Sequence, residues 1–262
     1  MLRVVLALVV SLVAGAAVAA PATIRTDHVT ATVVLRNATT APGGTTDIAF
    51  RHRLAPDWHT YWLNPGDSGE PPIVEWTLPA GAAAGSLRFP APELVPYPPL
   101  MNHGYSDDFT LLSSVTVPAD WPAGKPLPVT ARVDWLVCKD ICIPEGGEVS
   151  FTVPTGAAST PDSTVAFTFV EAEMALPEER DAAATYTRDD HRLYLTVPFG
   201  TTEGAHFFAF DRDAIAHAAP QTAVAAADGA GMTLALTAGR GRLDGTLKGV
   251  LETAEGAFHV TA

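Results

Sequence analysis

Cys138 and Cys142 are the only thiols in the chain. They stand in the run Asp134-Trp-Leu-Val-Cys138-Lys-Asp-Ile-Cys142-Ile-Pro144, with three residues between them. Fully extended, that spacing would hold the two Cα atoms roughly 13 Å apart, at about 3.3 Å per residue. A disulfide needs about 4.4–6.8 Å. The chain must therefore turn between them for a bridge to form, and Lys139-Asp140 is a credible turn. Cys138 ends a period-2 run, so its side chain leaves the strand on the face opposite Val133, Trp135 and Val137. Three chemistries fit such a pair. A structural staple is one, although stabilisation by loop closure grows with loop length and this loop is tiny. A reversible dithiol/disulfide is the second, since a small loop is readily opened and closed by exchange. The third is a metal site, in which two thiolates and His103 or Met101 would offer Cu(I) the soft ligands it prefers.

The elements that must position this pair read as β-strands. Val29, Ala31, Val33 and Leu35 alternate with polar residues, and Ile48 and Phe50 continue the habit. Val115 and Val117 alternate likewise, Val129 to Val137 forms the longest such run, and Val149, Phe151 and Val153 follow it. Short alternating strands separated by Gly/Pro turns predict an antiparallel sandwich. Only residues 167–176 look helical. Eight prolines fall between Pro71 and Pro99, so residues 64–109 are predicted to form a long ordered loop over the sandwich, because proline cannot sit in a central strand. The run from Pro154 to Thr164 has linker composition. It divides a first domain, 20–153, from a second, plainer β-domain, 165–262, with strand-like pieces at 192–198, 205–210, 232–237 and 246–251.

Residues 1–19 read as a secretory signal: Arg3, an apolar Val4–Val13, and an Ala17-Val18-Ala19 cleavage site. No later segment approaches the length of a membrane-spanning helix. Export would place the cysteines where a disulfide can persist. The formal net charge is −13, from 16 Lys+Arg against 29 Asp+Glu, and there is no basic run, which argues against nucleic acid as a partner. No Ser-His-Asp pattern, phosphate loop or paired carboxylates suggest hydrolysis. Trp58–Trp62 is expected to pack rather than bind, Asn64–Gly69 and Asp189-Asp190 to turn, and His28, His191, His217 and His259 to face solvent. Asn37-Ala-Thr39 matches the glycosylation pattern, a short motif that often arises by accident.

Three stretches carry a family resemblance: Trp58-His-Thr-Tyr-Trp62-Leu-Asn64-Pro-Gly-Asp-Ser-Gly69, Asn102-His-Gly104-Tyr105-Ser-Asp107-Asp108-Phe109, and Trp135-Leu-Val-Cys138-Lys-Asp-Ile-Cys142-Ile-Pro144. Over about 58–145 the chain resembles the periplasmic amino-terminal region of the thiol-disulfide reductases DsbD and, more closely, ScsB. His206-Phe-Phe208 and Leu247–Leu251 extend a looser likeness to the paired amino-terminal domains of ScsB. The resemblance implies an immunoglobulin-like β-sandwich followed by a second, smaller sandwich, in the periplasm, with no small-molecule cofactor. It implies that the cysteine pair is reduced by an inner-membrane electron donor of the DsbD/CcdA type and passes electrons to periplasmic thioredoxin-fold proteins. Cys142 would form the mixed disulfide and Cys138 would resolve it. A loop aromatic would shield the pair, Phe109 first and Tyr105 as the alternative, with Asp107 and Asp108 raising the thiol pKa by like-charge repulsion. Full-length reductases continue into membrane and thioredoxin-like domains. This chain stops at Ala262, so it is expected to be either a fragment or a stand-alone module. Its cysteine spacing also differs from the DsbD form.

Overall fold

The computed structural model describes residues 22–262, except 181, 228 and 244. The signal-peptide expectation lies outside those residues. Among the described residues strands dominate, with one helix, Ala166–Met174, close to the predicted 167–176. No described helix is long and apolar enough to cross a membrane.

The first half is an immunoglobulin-like antiparallel sandwich. One sheet runs in the order Thr23–Arg25, Val29–Leu35, Thr45–Leu54, Phe109–Thr116, Ala83–Ala84. The facing sheet is Cys142–Val153, Leu127–Cys138, Ile73–Thr77. Alternation along each strand decides what meets between them. Val29, Ala31, Val33, Ile48 and Phe50 come from one side, and Val129, Ala131, Val133 and Trp135 from the other, all buried in one core. A third sheet, in the order Thr60–Gly66, Leu100–Tyr105, Glu93–Tyr97, leans on the end of this sandwich.

That third sheet corrects the loop expectation for 64–109. Pro96 sits in Glu93–Tyr97, which pairs on one side only. An edge strand can spare the missing donor. Ile73–Thr77 is likewise an edge strand, pairing with Leu127–Cys138 alone. The prolines therefore mark edges, not the absence of strands.

The second half holds two further sheets, Thr185–Arg188, Arg192–Val197, Met232–Thr237, Thr222–Ala225 and His206–Ala209, Lys248–Thr253, Gly256–Thr261. Their inward Leu193, Leu195, Phe207, Leu234, Leu236 and Leu251 form a separate core. The segment with linker composition is not free. Thr160–Pro161 pairs with Asn37–Thr39, and Ala41 N donates to Ser159 Oγ at 3.0 Å. The helix after it buries Phe169 and Ala172 against Ala49 and Leu112 on the outer face of the first sandwich. Contacts with the first half thus continue past the compositional boundary.

Candidate functional site

Leu127–Cys138 and Cys142–Val153 form one long hairpin whose register sets Cys138 directly opposite Cys142. The Cα atoms are 4.1 Å apart and the sulfurs are bonded. Lys139, Asp140 and Ile141 make the turn, closed by Lys139 N donating to Ile141 O at 3.2 Å. The two sulfurs do not share an environment. Cys138 is 2% exposed, whereas Cys142 is exposed.

The end of the cysteine strand is fixed by Thr60–Gly66 and the residue before it. Cys138 N donates to His59 O and His59 N to Cys138 O, each at 2.9 Å. Thr60 Oγ1 donates to Leu136 O at 2.9 Å. This pairing delivers Tyr61 to the bridge. Its buried hydroxyl donates to Cys138 Sγ at 2.9 Å and lies 3.4 Å from Cys142 Sγ. Burial, and then Tyr97, push the Tyr61 phenol above its ordinary pKa, so the hydroxyl keeps the proton it donates. His59 stands edge-on to the Tyr61 ring at 5.6 Å. Burial lowers its pKa and Glu93 opposes that shift.

Two glycines let this assembly close. A Cβ on Gly104 would meet Thr60 O at 1.9 Å, so only glycine lets Leu100–Tyr105 lie beside Thr60–Gly66 there. A Cβ on Gly69 would fall 2.2 Å from the Tyr61 ring, and Gly69 has φ +89°. Glu93 pairs with Gly104 and Tyr97 with Leu100, so Glu93 and Tyr97 share the Tyr61 face of this sheet. Ile141, in the turn between the cysteines, is 67% exposed, and Tyr97, which acts on the Tyr61 phenol, is 48% exposed.

The residues expected to shield the pair lie elsewhere. Phe109 is core, stacked between Tyr105 at 4.2 Å and His52 at 4.6 Å. Tyr105 is buried and donates its hydroxyl to Pro90 O at 2.9 Å. Asp108 accepts from Arg53 Nε and Leu54 N, and Asp107 is exposed. The aromatic on the sulfurs is instead Tyr61, from the stretch expected only to pack. Its signal was its place two residues beyond His59 in a strand whose other face carries Trp62. His103 lies on that Trp62 face, with its ring 6.4 Å from Trp62, 4.9 Å from Phe208 and 4.8 Å from His217. The Cu(I) grouping of Cys138, Cys142, His103 and Met101 is therefore not assembled. Among the described residues no three His, Cys, Asp or Glu side chains are placed to hold a metal. His217 is 4% exposed, not solvent-facing, and its Nε2 donates to Arg212 O at 2.7 Å.

A bonded cysteine pair, one buried and one exposed, at the tip of a hairpin on an immunoglobulin-like sandwich is an arrangement that thiol–disulfide exchange can use. Residues 29–154 match the family model described as thiol:disulfide interchange protein DsbD, N-terminal, which supports a thiol:disulfide interchange domain in that part of the chain. The crystal structure of the N-terminal periplasmic domain of ScsB from Proteus mirabilis overlays with a TM-score of 0.67 at 14% identity, covering 93% of this chain and 98% of that one. The two-part fold is thus shared over nearly the whole length. The yeast GGA1 GAE domain overlays with a TM-score of only 0.29, at 14% identity, covering 50% of this chain and 96% of that one. No curated protein matches the chain.

Proposed function

We propose that this chain is a periplasmic electron carrier whose Cys138–Cys142 pair takes two electrons from an inner-membrane dithiol donor and gives them to thioredoxin-fold proteins. The observation that carries the assignment of roles is the asymmetry of the sulfurs. Cys142 is exposed at the hairpin tip, and Cys138 is buried under the Tyr61 hydroxyl.

In the delivering direction, the Cys142 thiolate attacks one sulfur of a partner disulfide. A mixed disulfide forms and the partner's other sulfur leaves as a thiolate. The Cys138 thiolate then attacks Cys142 Sγ, which restores the bridge and releases the partner's second thiolate. The partner is reduced by two electrons and the chain is oxidised by two. The register that holds Cys138 opposite Cys142 supplies the proximity for the second attack. A Tyr61 hydroxyl aimed at Cys138 Sγ stabilises negative charge on that sulfur as it forms. The exposed Ile141 and Tyr97 give an incoming partner apolar surface to cover.

The test uses reduced single-cysteine variants and an oxidised thioredoxin-fold protein. Cys138→Ala is expected to accumulate a mixed disulfide through Cys142, and Cys142→Ala is not. The opposite pattern reverses the roles. The reduction potential provides an independent check. A midpoint between about −180 and −270 mV fits exchange, and one below about −300 mV would make the bridge structural.

A further inference from the structure

The outer face of the first sandwich carries a groove that the redox reading does not use. Its volume is about 690 Å³, and it is walled by the helix Ala166–Met174 on one side and by Pro90 and Ala91 on another. Its floor is a grid set by strand register. Arg25 pairs with Thr30 and Thr30 with Arg53, making one cross-strand row. Thr32 pairs with Arg51 and Arg51 with Thr110, making the next. The rows are two residues apart along the strands, so all six side chains leave the same face, in rows roughly 7 Å apart with about 4.8 Å between neighbours in a row.

The charges on this grid are unusual for the chain that bears them. Carboxylates outnumber Lys+Arg by 29 to 16. Yet among the described residues neither Arg25 nor Arg51 has a carboxylate within salt-bridge distance, and both are exposed. Arg53 is engaged by Asp108 at 3.3 Å, and Glu171 stands on the helix wall. Two unneutralised guanidinium groups therefore share a groove floored with threonine hydroxyls. Arg25 lies on the edge strand Thr23–Arg25 and Arg51 two strands away on Thr45–Leu54, one row over, so the two unpaired side chains leave the sheet roughly 12 Å apart. That separation suits carboxylates about four residues apart on an extended chain better than one compact anion.

From this we infer that the groove binds an extended acidic segment of a partner protein, with its carboxylates on Arg25 and Arg51 and its backbone crossing Thr30 and Thr32 between them. Guanidinium–carboxylate pairing gives the contact its geometry. The inference is independent of cysteine exchange, because binding requires no chemistry at Cys138 or Cys142.

The probe is a fluorescein-labelled hexaglutamate peptide, titrated by anisotropy into the full chain at about 20 mM and about 200 mM salt, where screening differs several-fold in reach. Hexaglutamate is expected to bind at low salt and hexaglutamine is not. Arg25→Ala/Arg51→Ala should weaken binding at least about tenfold, the loss of two charged contacts. A control, Arg240→Ala/Arg242→Ala, removes the same charge from exposed positions of the second half and should leave affinity within about twofold, as screening predicts for distant charges. Thermal unfolding of each variant confirms that the fold is kept. Failure of hexaglutamate to bind at low salt overturns the inference. So does equal weakening by the control, which would mean diffuse charge. Citrate binding as tightly as the peptide, with the same arginine dependence, would replace the extended segment by a compact anion.

Discussion

Tyr61 is the residue whose chemistry bears most directly on the pair. A hydrogen bond to a charged sulfur is worth about 1.5–3 kcal/mol, and each 1.36 kcal/mol is one pKa unit. Tyr61→Phe keeps the ring that packs on Gly69 and removes only the donor. We expect the Cys138 thiol pKa to rise by about one unit or more in the reduced protein, read from the pH dependence of alkylation. The mixed disulfide through Cys142 should also persist longer. An unchanged alkylation profile would remove Tyr61 from the mechanism.

At the scale of elements, the site depends on two strands approaching unusually closely. Gly104→Ala places a methyl 1.9 Å from Thr60 O, against backbone that cannot step aside. The pairing of Thr60–Gly66 with Leu100–Tyr105 should fail locally, at a cost of about 2 kcal/mol or more in chemical denaturation. Gly69→Ala meets the Tyr61 ring and also demands a left-handed backbone. We expect it to displace Tyr61 from the sulfurs, so its alkylation profile should resemble that of Tyr61→Phe. If Gly69→Ala leaves both stability and alkylation unchanged, the packing account of this glycine is wrong. The hairpin itself, Leu127–Cys138 with Cys142–Val153, rests on twelve register pairs and should survive either change.

On the scale of the whole molecule, the two halves meet in a buried seam rich in histidine. Trp62 lies 6.0 Å from Phe208 and 5.7 Å from Phe210, and Asn64 Nδ2 donates to Ala209 O at 2.7 Å. Phe208 and Val250 join the first core although they come from the second half. Phe208→Ala should therefore cost about 3–5 kcal/mol in denaturation, as for other buried phenylalanines, while a smaller loss would show that the seam is loosely packed. Within the seam, burial holds His103 at a pKa of about 3, helped by His217 and His206, and burial with His217 holds His206 at about 4. In the first core, burial holds His52 at about 4. Each is lowered from about 6.5, so each is neutral when folded. Their contribution to stability is whole above about pH 6.5 and drains as pH falls toward 4, because the unfolded chain takes the proton first. At pH 5 the loss is on the order of 1–2 kcal/mol for each fully buried ring. Since two of the three lie between the halves, thermal unfolding should show one transition near pH 7.5 and two near pH 4.5. A single transition with an unmoved midpoint at both would refute the seam account.

Much of this protein could be read without coordinates wherever the controlling physics was local. The period-2 runs specified the sandwich strands, since alternation needs only neighbours along the chain. The spacing of Cys138 and Cys142 required a turn between them, and the hairpin supplies it. The short helix was visible for the same reason. What needed tertiary structure was whatever depended on partners distant in sequence. The proline-rich stretch forms edge strands because its pairing partners, such as Leu127–Cys138, lie far along the chain. The resemblance made Phe109 the expected cap, but its register with His52 turns it inward to the core. His217 is buried against His103, a residue distant in sequence, with its Nε2 donating to Arg212 O. Tyr61 reaches sulfurs 77 and 81 positions away through a strand contact that no local pattern announces. Local periodicity decides which way a side chain points from its own strand. Only the packing of one sheet on another decides what it meets.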